Sequence, residues 1–177
     1  MRIDSHVCEY YAEMDLHFAE LNIARLRAPL DAASNAEFVA VLEAVNAIAD
    51  VSTGFVWRLK ADDGGPSSYV HVFDDPQMIV NLTVWTDPDA LRHFTYRSGH
   101  GAYFRRRKEW FEPATQPNMV CWWIPVGETP DVDDAVRRLE HLRANGPTEN
   151  GFLFDEVHPR PRADRIGVSS RQVGSSS

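Results

Sequence analysis

The sequence is poor in cysteine and positive charge, and it has no long apolar run. Its 177 residues contain two cysteines, Cys8 and Cys121, and 18 basic residues against 26 acidic ones, a formal net charge of −8. Two distant cysteines make no disulfide framework, and this charge repels phosphate backbones and anionic lipid. No apolar run approaches the roughly 20 residues that span a bilayer. We therefore expect no nucleic-acid partner and no membrane association.

Several site motifs are also missing. The sequence has no glycine-rich phosphate loop, no G-x-S-x-G motif and no Cys/His spacing typical of structural zinc. The first residues mix Arg2, Asp4 and Glu9 with apolar side chains and form no hydrophobic leader. We therefore expect a cytoplasmic protein without a nucleotide, flavin, NAD or metal cofactor.

The apolar content is sufficient for one folded domain. Hydrophobic residues make up 44% of the chain, which is enough to bury a core at this length. The region after residue 157 is rich in Pro, Arg and Ser and poor in apolar residues, as is typical of mobile segments. The predicted division is an N-terminal extension over 1–16, a folded domain over 17–157 and a flexible tail over 158–177.

Sequence periodicity predicts both strands and helices. Alternation of side-chain type with a period of two is typical of strands, and apolar spacings of three and four are typical of amphipathic helices. The predicted strands cover residues 17–27, 55–60, 79–85, 119–126 and, more briefly, 152–157. The first predicted helix starts at a Ser34/Glu37 capping box. The second starts at Asp87-Pro88, is broken near Gly99 and ends at about residue 112. The third is capped by Thr129-Pro130 and covers 132–145.

This order predicts an α+β fold of the ferredoxin-like, split βαβ type with an antiparallel sheet. Such a sheet is expected to carry its helices on one face only. We expect Val80, Leu82 and Val84 to face the helices. That leaves Asn81, Thr83 and Trp85 on the other face, and the same alternation in the first strand leaves Phe18, Glu20 and Asn22 there. Because both faces of the fourth strand are apolar, a second copy of the chain is the expected cover, giving a dimeric α+β barrel.

Several segments carry a resemblance to a known family, over about residues 17 to 156. They are LNIARLRAPL, NAIADVSTGFVWRL, NLTVW, ALRHFTYRSGH, FRRRKEWFEP, VCWWIPVG and RRLEHLRANGP. Together they resemble an uncharacterised bacterial domain-of-unknown-function family that is similar to the dimeric α+β barrel superfamily. That superfamily includes antibiotic-biosynthesis monooxygenases, haem-degrading monooxygenases, muconolactone isomerases and haem-containing peroxidases. The resemblance implies the fold and a homodimer, but one scaffold serves unrelated reactions.

A first group of candidate residues concerns proton transfer. His100 follows a Ser-Gly break, and its near-neutral pKa suits acid/base catalysis. Tyr96 is the alternative proton carrier. A helical histidine is similarly placed in haem-degrading relatives, so His100 is also the candidate axial ligand if haem binds. The alternative is a half-exposed histidine that is hydrogen-bonded within its own turn.

A second group would hold a substrate. Asn22 and Asn81 are amides in apolar strands, where burial is costly without a hydrogen-bond partner. In cofactor-free oxygenases of the superfamily a strand asparagine and a strand tryptophan hold substrate and oxygen, and Asn22 and Trp85 resemble those positions. The alternative is that both amides bind neighbouring backbone or a partner subunit. Further candidates are three pocket tryptophans, of which we expect some to serve packing only, and one arginine that would turn inward from a solvated charge run: Trp57, Trp122, Trp123 and Arg107.

The sequence thus favours a small-molecule enzyme of secondary or aromatic metabolism. Its substrate would be a hydrophobic phenolic or polycyclic molecule, transformed without a nucleotide cofactor by a monooxygenase or an isomerase/cyclase. Two alternatives stay open. One is a haem protein with His100 as axial ligand, and the other is a non-catalytic ligand-binding dimer.

Overall fold

The computed structural model describes residues 15–98 and 105–160. Its strands are β1 (Leu16–Arg25), β2 (Phe55–Arg58), β3 (Met78–Trp85) and β4 (Met119–Pro125). Its helices are α1 (Ala36–Asp50), α2 (Pro88–Arg97), α3 (Arg107–Trp110) and α4 (Val132–Asn145), with short 3-10 turns at Ala33–Asn35 and Ser67–Tyr69. Over these residues, no helix combines the length and the apolar character needed to cross a membrane.

The four strands form one antiparallel sheet in the order β2-β3-β1-β4. The two strands that are first and third in the chain are therefore neighbours at the centre, and the connection through α1 leads to the edge strand β2. This order is that of the split βαβ pattern. The prediction of an antiparallel ferredoxin-like α+β fold is confirmed.

Both faces of the sheet carry helices, so the expectation of helices on one face only was wrong. The face that contains Leu21 and Leu82, here called the α4 face, packs against α4 through Leu139. Its β3 side is covered by the segment around Val70 and Phe73. The opposite face, here called the α1/α2 face, packs against α1 and α2 through residues that include Leu91. One chain therefore covers most of both faces, including the face of Asn81 and Trp85 that was expected to lack helices. Pairing into a dimeric barrel stays a prediction.

Of the three predicted helix N-caps, one is correct and two are wrong. Asp87 caps α2 as predicted, since its side chain accepts a hydrogen bond from the Ala90 amide. The Ser34 capping box was wrong, because Asn35 precedes α1 and its amide donates to the carbonyl oxygens of residues 28 and 29 instead. The cap at Thr129-Pro130 was also wrong. Asp131 has that role and accepts from the Asp134 amide.

Helix α2 ends at Arg97 and Ser98 is extended, in agreement with the predicted break near Gly99, and α3 is a separate turn. Two other boundaries differ from the predictions. Strand β2 ends at Arg58, two residues early. The predicted strand over 152–157 is reduced to a single bridge, in which Phe152 pairs with Cys121 at the outer edge of β4. Phe152 then turns its ring onto the α1/α2 face, where burial of the aromatic side chain outweighs further strand pairing.

Candidate functional site

A strip of polar side chains crosses the middle of the α1/α2 face. Glu20 on β1 lies opposite Thr83 on β3, and Asn22 lies opposite Asn81. Because alternate residues of a strand point to the same side, these four side chains share one face. They are called the polar strip below. The two central strands therefore place a carboxyl, a hydroxyl and two amides side by side.

Aromatic and apolar side chains border the strip at both ends. The strand register puts the Phe18–Trp85 pair beyond Glu20 and the Ala24–Ile79 pair beyond Asn22. At the first end the ring of Trp85 stacks on Phe94 of α2 with centroids 5.1 Å apart. Beyond the second end lies a separate apolar cluster, which contains Leu26, Phe38, Ile79 and Trp110. The polar strip thus lies between two apolar walls.

Three residues of this face form a hydrogen-bonded chain. The Trp85 indole Nε1 donates to Thr83 Oγ1 over 2.9 Å, and Thr83 Oγ1 donates to Glu20 Oε2 over 3.0 Å. An indole N–H is a donor only, so Thr83 accepts from Trp85 and its own proton points to the carboxyl. The chain fixes the orientation of Glu20 from the neighbouring strand β3.

Glu20 is a buried carboxyl whose pKa lies near neutral pH. It is 3% exposed, and burial raises its pKa to about 7, against the lowering effect of the Thr83 hydrogen bond. Within residues 15–98 and 105–160 it makes no salt bridge, and Thr83 is its only hydrogen-bond partner. A group with such a pKa exchanges protons readily at neutral pH, as a general acid or base requires.

The thiol of Cys121 lies on the same face but is a poor nucleophile. Cys121 on β4 is the direct neighbour of Glu20 on β1. Burial raises its thiol pKa well above the ordinary value, and the neighbouring Glu20 carboxylate raises it further. Since the thiolate is the reactive form, Cys121 contributes packing here.

The two asparagines form the accessible end of the strip. Asn22 is half-buried, whereas Asn81 is exposed although it belongs to a central strand, so the prediction that both are buried was wrong for Asn81. Neither side-chain amide makes a hydrogen bond to any residue that the structure describes. Their expected backbone partners are therefore not found there, and both amides are available to solvent or to a ligand.

The predicted tryptophan pocket divides between the two faces. Trp85 and Trp123 share the α1/α2 face with the strip. Trp57 and Trp122 pack on the α4 face, where the Arg138 guanidinium lies over the Trp122 ring. The Trp123 indole donates to the His158 carbonyl oxygen over 2.8 Å. Trp85 is thus the tryptophan that the strand register places directly beside the strip.

The remaining candidates lie elsewhere. His100 falls outside the described residues. Tyr96 on α2 is 53% exposed, and Arg107 on α3 is exposed rather than turned inward. The less exposed member of that charge run is Arg106, which pairs with two glutamates and lies over the Trp110 ring. The structure therefore does not bring Tyr96 and Arg107 into the polar strip.

Two open depressions of the described surface are separate from the strip. The larger, of about 380 Å³, is lined by residues around the start of α2, including Gly54 and His93. The smaller, of about 240 Å³, lies between α1 and the turn after β2. Neither contains a predicted site residue. In the described ranges, no three His, Cys, Asp or Glu side chains are grouped to hold a metal ion.

Glu20 and Thr83 were predicted to share the face of Asn22 and Asn81, but neither was among the predicted functional residues. The signal was a glutamate in an apolar strand, two residues before Asn22 and therefore on the same face. Its significance depends on the register that sets it opposite Thr83, and a single sequence does not give that register.

Fold and site together define a ferredoxin-like α+β domain with a titratable polar strip inside its sheet face. Residues 17–168 match the family described as domain of unknown function DUF3291, and the chain belongs to that family. This confirms the resemblance to such a family. No curated protein matches the sequence.

Several solved structures are similar in fold at low identity. A protein of unknown function from Nitrosomonas europaea has a TM-score of 0.45 and 11% identity, covering 67% of this chain and 99% of its own. PA3566 from Pseudomonas aeruginosa has a TM-score of 0.42 and 13% identity, with 64% and 96% covered. SnoaB, a cofactor-independent oxygenase from Streptomyces nogalater, has a TM-score of 0.42 and 19% identity, with 65% and 98% covered.

Proposed function

We propose that this domain is an enzyme that binds a planar phenolic or polycyclic molecule over the polar strip and transforms it without a nucleotide cofactor. The observation that supports it most is the strip itself, with two unpaired amides at its open end and apolar walls on both sides. Ligand sites are mostly apolar with a few aimed polar groups. A structural sheet face has no need of such groups.

Each part of the site has a chemical use in this proposal. The Trp85 ring, fully buried against Phe94, closes the inner end of the strip and holds the hydrogen-bonded chain to Glu20 in place. The Asn22 and Asn81 amides donate hydrogen bonds to a phenolate oxygen and stabilise its charge. Tyr96 and His100 are retained as further proposed proton carriers.

The reaction class proposed is one that begins with loss of a proton from a phenol or an acidic C–H group. Oxygenation, isomerisation and cyclisation of phenolic compounds can all start in this way. In the oxygenation, molecular oxygen is the co-reactant: one of its atoms enters the substrate, and the other leaves as water with two substrate hydrogens. In the other two reactions the proton returns to a different atom.

The site is also proposed to operate in a cytoplasmic homodimer. The resemblance to dimeric α+β barrels supports pairing, although the sheet faces of one chain are already covered. Light scattering on the full chain measures the mass directly. A mass of twice 20.1 kDa supports the dimer, and a monomer contradicts it.

Binding of a phenolic probe tests the proposal. A nitrophenol absorbs differently when ionised, so its spectrum reports both binding and the state of its oxygen. We expect saturable binding that weakens at least tenfold in Asn22→Ala. The matched control is Trp122→Phe on the α4 face, which should bind normally. Equal affinity in wild type and Asn22→Ala would contradict the proposed site.

A further inference from the structure

Glu20 has a position that packing does not explain. It occupies a central strand of the sheet with 3% exposure, and the residues on either side of it in the chain, Ala19 and Leu21, are fully buried apolar residues. A buried carboxylate without a cation costs several kcal/mol relative to water, so apolar residues normally fill such positions. In the described part of the chain its carboxyl has only a neutral hydroxyl partner.

We propose that Glu20 is the catalytic base of this site and that Thr83 and Trp85 are its positioning residues. The inference rests on the proposed function, since it names the group that receives the substrate proton. The geometry supports it. The Trp85 and Thr83 hydrogen bonds hold Glu20 Oε2, which leaves Oε1 as the oxygen for a new proton, and the Asn22–Asn81 pair lies one row along the same face, about 7 Å away.

The proton step is balanced within the site. The O–H bond of the phenol breaks, its electron pair stays on the substrate oxygen, and the proton bonds to Glu20 Oε1. The products are a phenolate beside the two asparagine amides and a neutral Glu20. The carboxylate is regenerated when the proton returns to the product or passes to water.

No other described group on this face suits the role as well. Cys121, the cross-strand neighbour of Glu20, keeps its proton because burial raises its thiol pKa. Asn22, Asn81 and Thr83 do not titrate near neutral pH. Glu20 is therefore the proton acceptor that the strip provides.

The direct test is an NMR titration of the full chain carrying carboxyl-labelled glutamate, with Glu20 assigned by the signal lost in Glu20→Gln. We expect a midpoint near pH 7. The Thr83 hydrogen bond stabilises the charged carboxylate, so its loss in Thr83→Val should raise the midpoint. Thr83→Ser keeps the hydroxyl and should restore the wild-type midpoint. If the valine variant fails to fold, Trp85→Phe tests the same chain, since it removes the donor that holds Thr83 Oγ1 and should also move the midpoint. A midpoint at the ordinary glutamate value would overturn the inference.

Repeating the titration with bound nitrophenol separates this inference from the proposed function. Contact with the ligand oxygen should move the Glu20 midpoint by about one pH unit, a tenfold change in proton affinity. Nitrophenol that binds in an Asn22-dependent manner without moving the midpoint would overturn the role of Glu20 and leave the proposed function standing. Absence of binding, with a midpoint still near pH 7, would overturn both.

Discussion

The two faces of the sheet are built by the same strands and serve different ends. On the α4 face, Leu21 pairs with Leu82 within a cluster of apolar side chains. One residue earlier along β1, on the α1/α2 face, the buried Glu20 pairs with Thr83 beside aromatic and aliphatic side chains. Since both pairs are buried in one sheet, burial alone does not decide which residues are used. The α4 face stabilises the fold, whereas the other face gives up stability to hold polar groups.

The free energy that the polar strip costs the fold can be compared with the contribution of one buried leucine. A buried leucine contributes about 2 to 3 kcal/mol through removal of apolar surface from water. Raising a carboxyl pKa from 4.5 to about 7 costs about 3 kcal/mol at pH values where the group is ionised. The polar strip therefore costs the fold about as much as one core side chain provides. Perturbed groups of this kind are concentrated at functional sites.

The largest effect is expected on the α4 face. Leu82→Ala removes a fully buried side chain from the centre of that cluster and leaves a cavity. We expect a loss of about 3 kcal/mol in the free energy of unfolding, measured by urea denaturation. Nitrophenol affinity per folded molecule should stay unchanged. A tenfold loss of affinity at full folding would show that the two faces are not separate in function.

The second prediction concerns the pH dependence of stability. The folded state holds a proton on Glu20 up to about pH 7, whereas the unfolded chain releases it near 4.5, so stability is full below pH 4.5 and falls as pH rises through 7. We expect wild type to lose about 3 kcal/mol across this window from this group. Glu20→Gln should lack that component, and the exposed Glu43→Gln should retain it. The prediction would be refuted if the free energy of unfolding, measured in urea at several pH values, fell by the same amount in all three proteins.

A smaller effect is expected from the indole hydrogen bond. Trp85→Phe keeps an aromatic ring on the α1/α2 face but removes the donor to Thr83 Oγ1. We expect a loss of about 1 to 2 kcal/mol in urea denaturation, from the unpaired hydroxyl and the smaller ring. The Glu20 midpoint should move as well. Trp122→Phe on the α4 face is the control, and its Glu20 midpoint should be that of wild type.

The smallest effect is expected from haemin. Under the cofactor-free proposal, added haemin should give no Soret band that depends on His100, so spectra of wild type and His100→Ala should coincide. A band present in wild type and lost in the variant would instead support the haem alternative, with His100 as axial ligand.

Periodicity predicted the fold well because it depends on local patterns. The strand segments and the Asp87-Pro88 helix start follow from alternation and capping chemistry that neighbouring residues determine. Coverage of the second face could not be predicted in the same way. The apolar stripe of α4 was visible, but which face Leu139 packs on depends on the path of the chain after β4.

The site was predicted only in part for a similar reason. Asn22, Asn81 and Trp85 stood out by residue type, and the register does place them on one face. Glu20 gained its significance from Thr83, which is 63 residues away in sequence and bonded across the central strand pair. Alternation separates Trp122 from Trp123, but which of them shares the face of the strip depends on the register of β4 with β1, and the face of Trp57 depends on the bulge in β2.

A crystal structure of the protein with a bound nitrophenol shows directly which face of the sheet holds the ligand. We expect the ring on the α1/α2 face, with its oxygen within hydrogen-bond distance of Asn22 or Asn81 and next to Glu20 Oε1. A ring bound in the depression beside Gly54 and His93, or among the side chains of the α4 face, would contradict this expectation.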